Sequence, residues 1–78
     1  MSDWTEQDGK LVKDLKLDDF ASAMAYVNRV ADAAEAANHH PDILIHGWNK
    51  VRLTLYTHTQ DAITDADRDM AERIDRLP

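Results

Sequence analysis

Val51-Arg52-Leu53-Thr54-Leu55-Tyr56-Thr57-His58 alternates without a break, and that alternation decides the fold class. Val51, Leu53, Leu55 and Thr57 share one parity, while Arg52, Thr54, Tyr56 and His58 take the other. Successive strand side chains point to opposite faces, so one face here is apolar and the other polar and aromatic. A strand with two such faces belongs to a sheet covered on one side only. Just upstream, Ile43-Leu44-Ile45 is a second, shorter apolar run, set off by Gly47. Nearer the N-terminus, Asp8-Gly9 is a hairpin turn signal. It follows the short polar stretch that holds Trp4 and precedes Lys10–Leu17, where Leu11, Leu15 and Leu17 share a parity with Lys13. That segment is expected to be a half-buried strand.

Between these strands the period changes. Phe20, Ala23, Met24, Val27, Val30, Ala31 and Ala34 recur at helical spacing in an alanine-rich run, with Asp18 or Asp19 as N-cap. The spacing predicts a helix over Phe20–Asn38, with Asn38 as terminator. Pro41 disfavours helix at His40 and directs the exit of the chain. After a loop at Thr59 to Ala62, Thr64 is placed to cap a second helix. Asp67 stands at the acidic position of a capping box, and Ala66, Met70, Ile74 and Leu77 form its stripe. The resulting order is strand, strand, helix, strand, strand, helix. It implies an α+β fold, an antiparallel sheet with helices on one face.

Composition bounds the function. The 78 residues are read as one domain, and a core this small makes oligomerisation an expectation. No cysteine is present, which excludes thiol nucleophiles, disulfides and thiolate metal sites. A net charge of -6 with scattered lysine and arginine argues against nucleic acid as partner. No apolar run approaches a membrane span and no signal-peptide pattern is visible, so a cytoplasmic location without membrane contact is expected. Two serines and two glycines leave no nucleophile elbow and no phosphate-binding loop.

The chemistry lies in the histidines. Of 4 in the chain, His39 and His40 leave the end of the first helix, and His58 ends the long strand. Adjacent side chains diverge, so His39 and His40 make a poor metal site, and no metal is expected. Histidine titrates near neutral pH, which suits proton transfer. Glu35 lies one helical turn before His39 and can orient it, and Trp48 offers a flat apolar wall for a ring substrate. His46, in an interrupted strand, is expected to be an ordinary surface residue.

Glu35-Ala36-Ala37-Asn38-His39-His40-Pro41-Asp42, Trp48-Asn49-Lys50-Val51 and Leu53-Thr54-Leu55-Tyr56-Thr57-His58 together resemble the signature of the pterin-4a-carbinolamine dehydratase family. Thr64, Asp67, Met70, Ala71 and Ile74 resemble its closing helix, and Trp4, Gly9-Lys10-Leu11 and Phe20 its beginning. The resemblance implies a four-stranded antiparallel sheet with helices on one side. It also implies that the family's N-terminal helix is missing or shortened here. The implied activity is dehydration of 4a-hydroxytetrahydropterin to quinonoid dihydropterin, recycling the cofactor of aromatic amino-acid hydroxylases. The pterin is then substrate, with no cofactor or metal, and the assembly a homodimer or homotetramer. The implied catalytic residues are His39, His40 and His58, supported by Glu35, Asp67, Trp48 and Thr57. The same resemblance leaves a second reading, a non-catalytic dimerisation or assembly factor for another protein.

Overall fold

The computed structural model describes residues 4–77. The chain forms β1 (Thr5–Gln7), β2 (Lys10–Lys16), α1 (Phe20–Ala37), β3 (Asp42–His46), β4 (Lys50–Leu55) and α2 (Asp65–Asp75). All sheet neighbours are antiparallel, in the order β1-β2-β4-β3. This is the α+β architecture expected from the order of periods. The question of a missing or shortened N-terminal helix concerns residues ahead of Trp4, which lie outside the described residues. Among the described residues no helix is long and apolar enough to cross a membrane.

Local chemistry accounts for the elements. Asp8 and Gly9 both take positive φ, 52° and 76°, as a two-residue hairpin between β1 and β2 demands. Asp19 caps α1, its carboxylate accepting the Ser22 N–H at 2.7 Å. That contact and the Ser22 hydroxyl hold the Asp19 carboxyl below the usual aspartate range. β2 and β4 pair from Leu11↔Leu55 to Lys16↔Lys50, so their inward residues stack in rows. Val51, Leu53 and Leu55 are fully buried, and with Leu11 they meet Ala23, Tyr26, Val30 and Ala34 of α1 and Met70, Ala71 and Ile74 of α2. Burying each of the valine, leucine, isoleucine and methionine side chains stabilises by roughly 1.5–3 kcal/mol. The opposite face presents Asp14, Lys16, Leu44, His46, Lys50 and Arg52 to solvent.

Three expectations are corrected. α1 buries Ala23, Tyr26, Val30 and Ala34, while Phe20, at 54% exposure, Met24 and Ala31 face outward. Burial pushes the Tyr26 phenol pKa up, and the Asp75 charge adds to it. β4 ends at Leu55 and does not reach His58. Its partners run out there, because β2 begins only at Lys10 and β3 reaches only as far as Asp42↔Thr54. Thr57 turns away and bonds Ala62 instead, N–H to carbonyl at 2.8 Å. In α2 the buried stripe is Asp67, Met70, Ala71 and Ile74, with Ala66 outside it.

Candidate functional site

α1 stops because Asn38 takes the left-handed conformation, φ 52° and ψ 41°. Asparagine tolerates that region better than most residues. Its N–H bonds the Ala34 and Glu35 carbonyls, and the His39 N–H returns to Ala34 at 3.2 Å. These bonds satisfy the orphaned carbonyls of the last turn and swing the chain back toward α2. His39 Nε2 then lies 2.5 Å from Asp67 Oδ1.

Asp67 is buried at 0% exposure, and a lone carboxylate there would cost several kcal/mol. Its environment compensates. Oδ2 accepts the Thr57 hydroxyl and the Thr64 N–H, each at 2.8 Å. The Thr57 and Thr64 hydroxyl oxygens are 2.6 Å apart. Because Thr57 donates its proton to Asp67, Thr64 is the donor between them. Burial pushes the Asp67 pKa up, but bonds from His39, the Thr64 N–H and Thr57, with the His39 charge, hold it below the usual aspartate value. Since the carboxylate only accepts, His39 donates through Nε2 and presents Nδ1 as its other face.

His40 Nε2 is hydrogen-bonded to Glu35 Oε2. This corrects the expectation that Glu35 would serve His39. The left-handed turn at Asn38 carries His39 off the α1 face, leaving His40 within reach of Glu35. The side chains of His40 and Glu35 are 54% and 76% exposed, so water screens the pair. His58 lies past β4, its ring centroid 4.2 Å from that of Tyr56 with 36° between planes.

Asn38, His39, His40, Thr57, His58 and Thr59 line one hollow of about 280 Å³. His39 also borders a larger hollow, about 530 Å³, between the end of α1 and α2, where Asp69, Glu72, Arg73 and Arg76 stand. The smaller hollow is the candidate site because three imidazoles meet in it. Glu35, Thr57 and Asp67 are hydrogen-bonded to that cluster or among its walls.

Trp48 is not brought there. It occupies the β3–β4 turn with φ 58° and is 61% exposed. Register places that turn beyond His46↔Lys50, whereas His40 and Pro41 adjoin the Asp42 end of β3. Five strand residues span roughly 16 Å, so within one chain Trp48 cannot wall the histidine hollow. His46 is exposed at the same far end. The sequence reading also left the Thr64 hydroxyl and the Tyr56 ring out of the site. The Thr64-x-x-Asp67 spacing and the shared parity of Tyr56 and His58 were their signals.

A family model described as pterin 4 alpha carbinolamine dehydratase matches residues 1–77. The chain belongs to the pterin 4 alpha carbinolamine dehydratase family. A relative from Herpetosiphon aurantiacus, named provisionally as a pterin-4-alpha-carbinolamine dehydratase, is 47% identical over 76 residues, covering 97% of this chain and 78% of the relative. A Nocardia farcinica protein with the same provisional name is 43% identical over 77 residues, covering 99% of this chain and 80% of its own. Among solved structures, a transcriptional coactivator/pterin dehydratase from Brucella melitensis matches with a TM-score of 0.86 at 29% identity, covering 94% of this chain and 79% of that one. A pterin dehydratase-like protein identified as a RuBisCO assembly factor in the alpha-carboxysome matches with a TM-score of 0.72 at 26% identity, covering 92% and 82%. The fold is thus shared with proteins described by roles other than dehydration.

Proposed function

We propose that the chain dehydrates a 4a-hydroxytetrahydropterin to the quinonoid dihydropterin by histidine acid–base catalysis, recycling the pterin of aromatic amino-acid hydroxylases. The observation that carries this reading is the meeting of His39, His40 and His58 in one hollow, with His39 held by a buried carboxylate. One imidazolium delivers a proton to the 4a-hydroxyl, which leaves as water. A second imidazole takes the proton from the adjacent ring nitrogen as the carbon–nitrogen double bond forms. One water is lost and no electrons enter or leave, so the reaction asks for no cofactor or metal. Full activity in chelator is the expected result, and activity restored only by an added divalent metal would contradict it.

The deciding assay follows disappearance of the 4a-hydroxy compound with the uncatalysed rate subtracted. His40→Ala and His58→Ala are each expected to slow dehydration about 10²–10⁴-fold, with His46→Ala unchanged. A folded parent that gives no acceleration over buffer would sink the reading.

The second reading, a dimerisation or assembly factor, is supported by exposed Phe20, Met24 and Leu44 and by the described roles of the two solved relatives. A homodimer or homotetramer would use such surfaces, among them the edge strand β3 with Ile43 and Leu44. Sedimentation at micromolar concentration tests it, and a monomer throughout is the adverse result. Either reading goes with a cytoplasmic location and without a nucleic-acid or membrane partner.

A further inference from the structure

Two of the three imidazoles in the hollow are held by carboxylates, His39 by Asp67 and His40 by Glu35. His58 has no carboxylate partner among the described residues, and its ring meets the ring of Tyr56. Tyr56 does not itself line the hollow, so any influence it has on the site passes through His58. Tyr56 is in turn braced. Lys10 Nζ lies 4.8 Å from the centre of the Tyr56 ring, within cation–π range. The position of Lys10 is fixed by the fold. It follows the left-handed Asp8-Gly9 turn, opens β2 and pairs with Gln7. The Leu11↔Leu55 register then brings Tyr56 alongside it, one step further along the ladder. The chain leaves the sheet after Leu55 and turns at the Thr57–Ala62 bridge, and the two rings meet there, 36° apart in plane.

We infer that Tyr56 is a positioning residue for His58, with Lys10 holding the tyrosine in place. The kinetic part of this inference rests on the dehydratase reading; the structural part rests on ring geometry alone. The Thr57–Ala62 bridge holds the backbone beside His58 but not its side chain, and an exposed imidazole without a ring partner samples three χ1 wells. A tilted ring contact, 4.2 Å between centroids, selects one of them. Losing that selection spreads His58 over unproductive rotamers, so the rate falls by on the order of threefold to tenfold. That is far less than the about 10²–10⁴-fold expected for removing the imidazole. It should appear in kcat with KM unchanged, because Tyr56 stays out of the hollow.

The test compares Tyr56→Ala, Tyr56→Leu and Tyr56→Phe with the parent, using full-length chain shown to be folded by circular dichroism. Tyr56→Leu keeps bulk and strand propensity if the alanine variant fails to fold. Proton NMR reads the His58 ring, whose signals the tyrosine ring current displaces in the parent. The displacement should persist in Tyr56→Phe and vanish in Tyr56→Leu and Tyr56→Ala, and Lys10→Met should reduce it. Steady-state kinetics should show kcat down threefold to tenfold in Tyr56→Leu, KM constant and Tyr56→Phe near the parent. Unchanged His58 signals in the folded leucine variant, or a loss carried by KM, would overturn the inference. If the parent shows no dehydration, the reading of the reaction fails, while the NMR comparison still decides whether Tyr56 holds His58.

Discussion

The two ends of the sheet carry the same kinds of parts and use them differently. Each has histidine, a non-glycine residue in the left-handed region and a buried polar side chain. At the turn end these are His46, Trp48 at φ 58° and Asn49. At the other they are the three site histidines, Asn38 at φ 52° and Asp67. Asn49 closes on backbone. Its Nδ2 donates to the Leu17 carbonyl at 3.0 Å, and its own carbonyl accepts the Leu17 N–H at 2.8 Å. The β3–β4 turn is thereby fastened to the chain leaving β2. Asp67 closes on side chains that carry exchangeable protons, His39 and Thr57, as well as on the Thr64 N–H. A buried amide can be satisfied by the main chain alone and makes scaffold. A buried carboxylate demands charge-assisted donors, and when one of them is an imidazole the same contact prepares proton transfer.

The most severe way to break this contrast is Asp67→Asn. The volume stays while the charge goes, leaving His39, Thr57 and the Thr64 N–H poorly matched. A loss of about 3 kcal/mol in denaturant unfolding is expected, together with most of the dehydration rate. The same change sharpens the contrast through pH. Asp67 has a folded pKa below its unfolded value. Its stabilisation is therefore complete above about pH 4 and disappears as pH falls through the folded value. The parent should lose this component in acid and Asp67→Asn should not, so identical acid sensitivity in both would contradict the role given to the carboxylate.

Asn49→Ala comes next. It removes one buried hydrogen bond and strands the Leu17 carbonyl, for about 1–3 kcal/mol. Dehydration per folded molecule should be unchanged, and a slower folded variant would show that the turn end is coupled to the histidines. Trp48→Gly has a smaller effect of opposite sign. Glycine accepts the left-handed backbone freely, so thermal unfolding should show a gain of up to about 1 kcal/mol. A loss instead would mean that the exposed indole is packed against a second molecule in solution. The smallest effect belongs to Glu35→Gln. The contact with His40 lies in water, and the denaturation midpoint should not move measurably. A drop rivalling that of Asp67→Asn would erase the distinction between the buried and the exposed imidazole–carboxylate pair.

Short-range chemistry made the elements legible in the sequence. The alternation from Val51, the Asp8-Gly9 turn, an aspartate cap at Asp18 or Asp19, Asn38 as terminator and the Thr64-x-x-Asp67 spacing each act within a few residues; the structure keeps each, with Asp19 as the cap and the strand stopping at Leu55 rather than His58. The three histidines with Glu35 stood out in the sequence, and the resemblance added Thr57, Asp67 and Trp48; of these the fold puts Thr57 and Asp67, but not Trp48, beside the histidine hollow. What local spacing cannot carry is which way an element faces once others pack on it. The stripe through Phe20, Met24, Val27 and Ala31 and the one through Ala23, Tyr26, Val30 and Ala34 both satisfy a helical period. Only the sheet beneath selects the second for burial. Glu35 stands four residues from His39 and five from His40, and helical spacing favours the first. The left-handed residue between them reverses that choice by sending His39 to α2. Trp48 is near the histidines in sequence, yet a five-residue strand separates them in space. Periodicity comes from bonds within the segment itself and survives in the sequence. Orientation and partnership come from competition among distant surfaces for burial and for the few donors that can satisfy a buried charge, and that competition is decided only when the chain is folded.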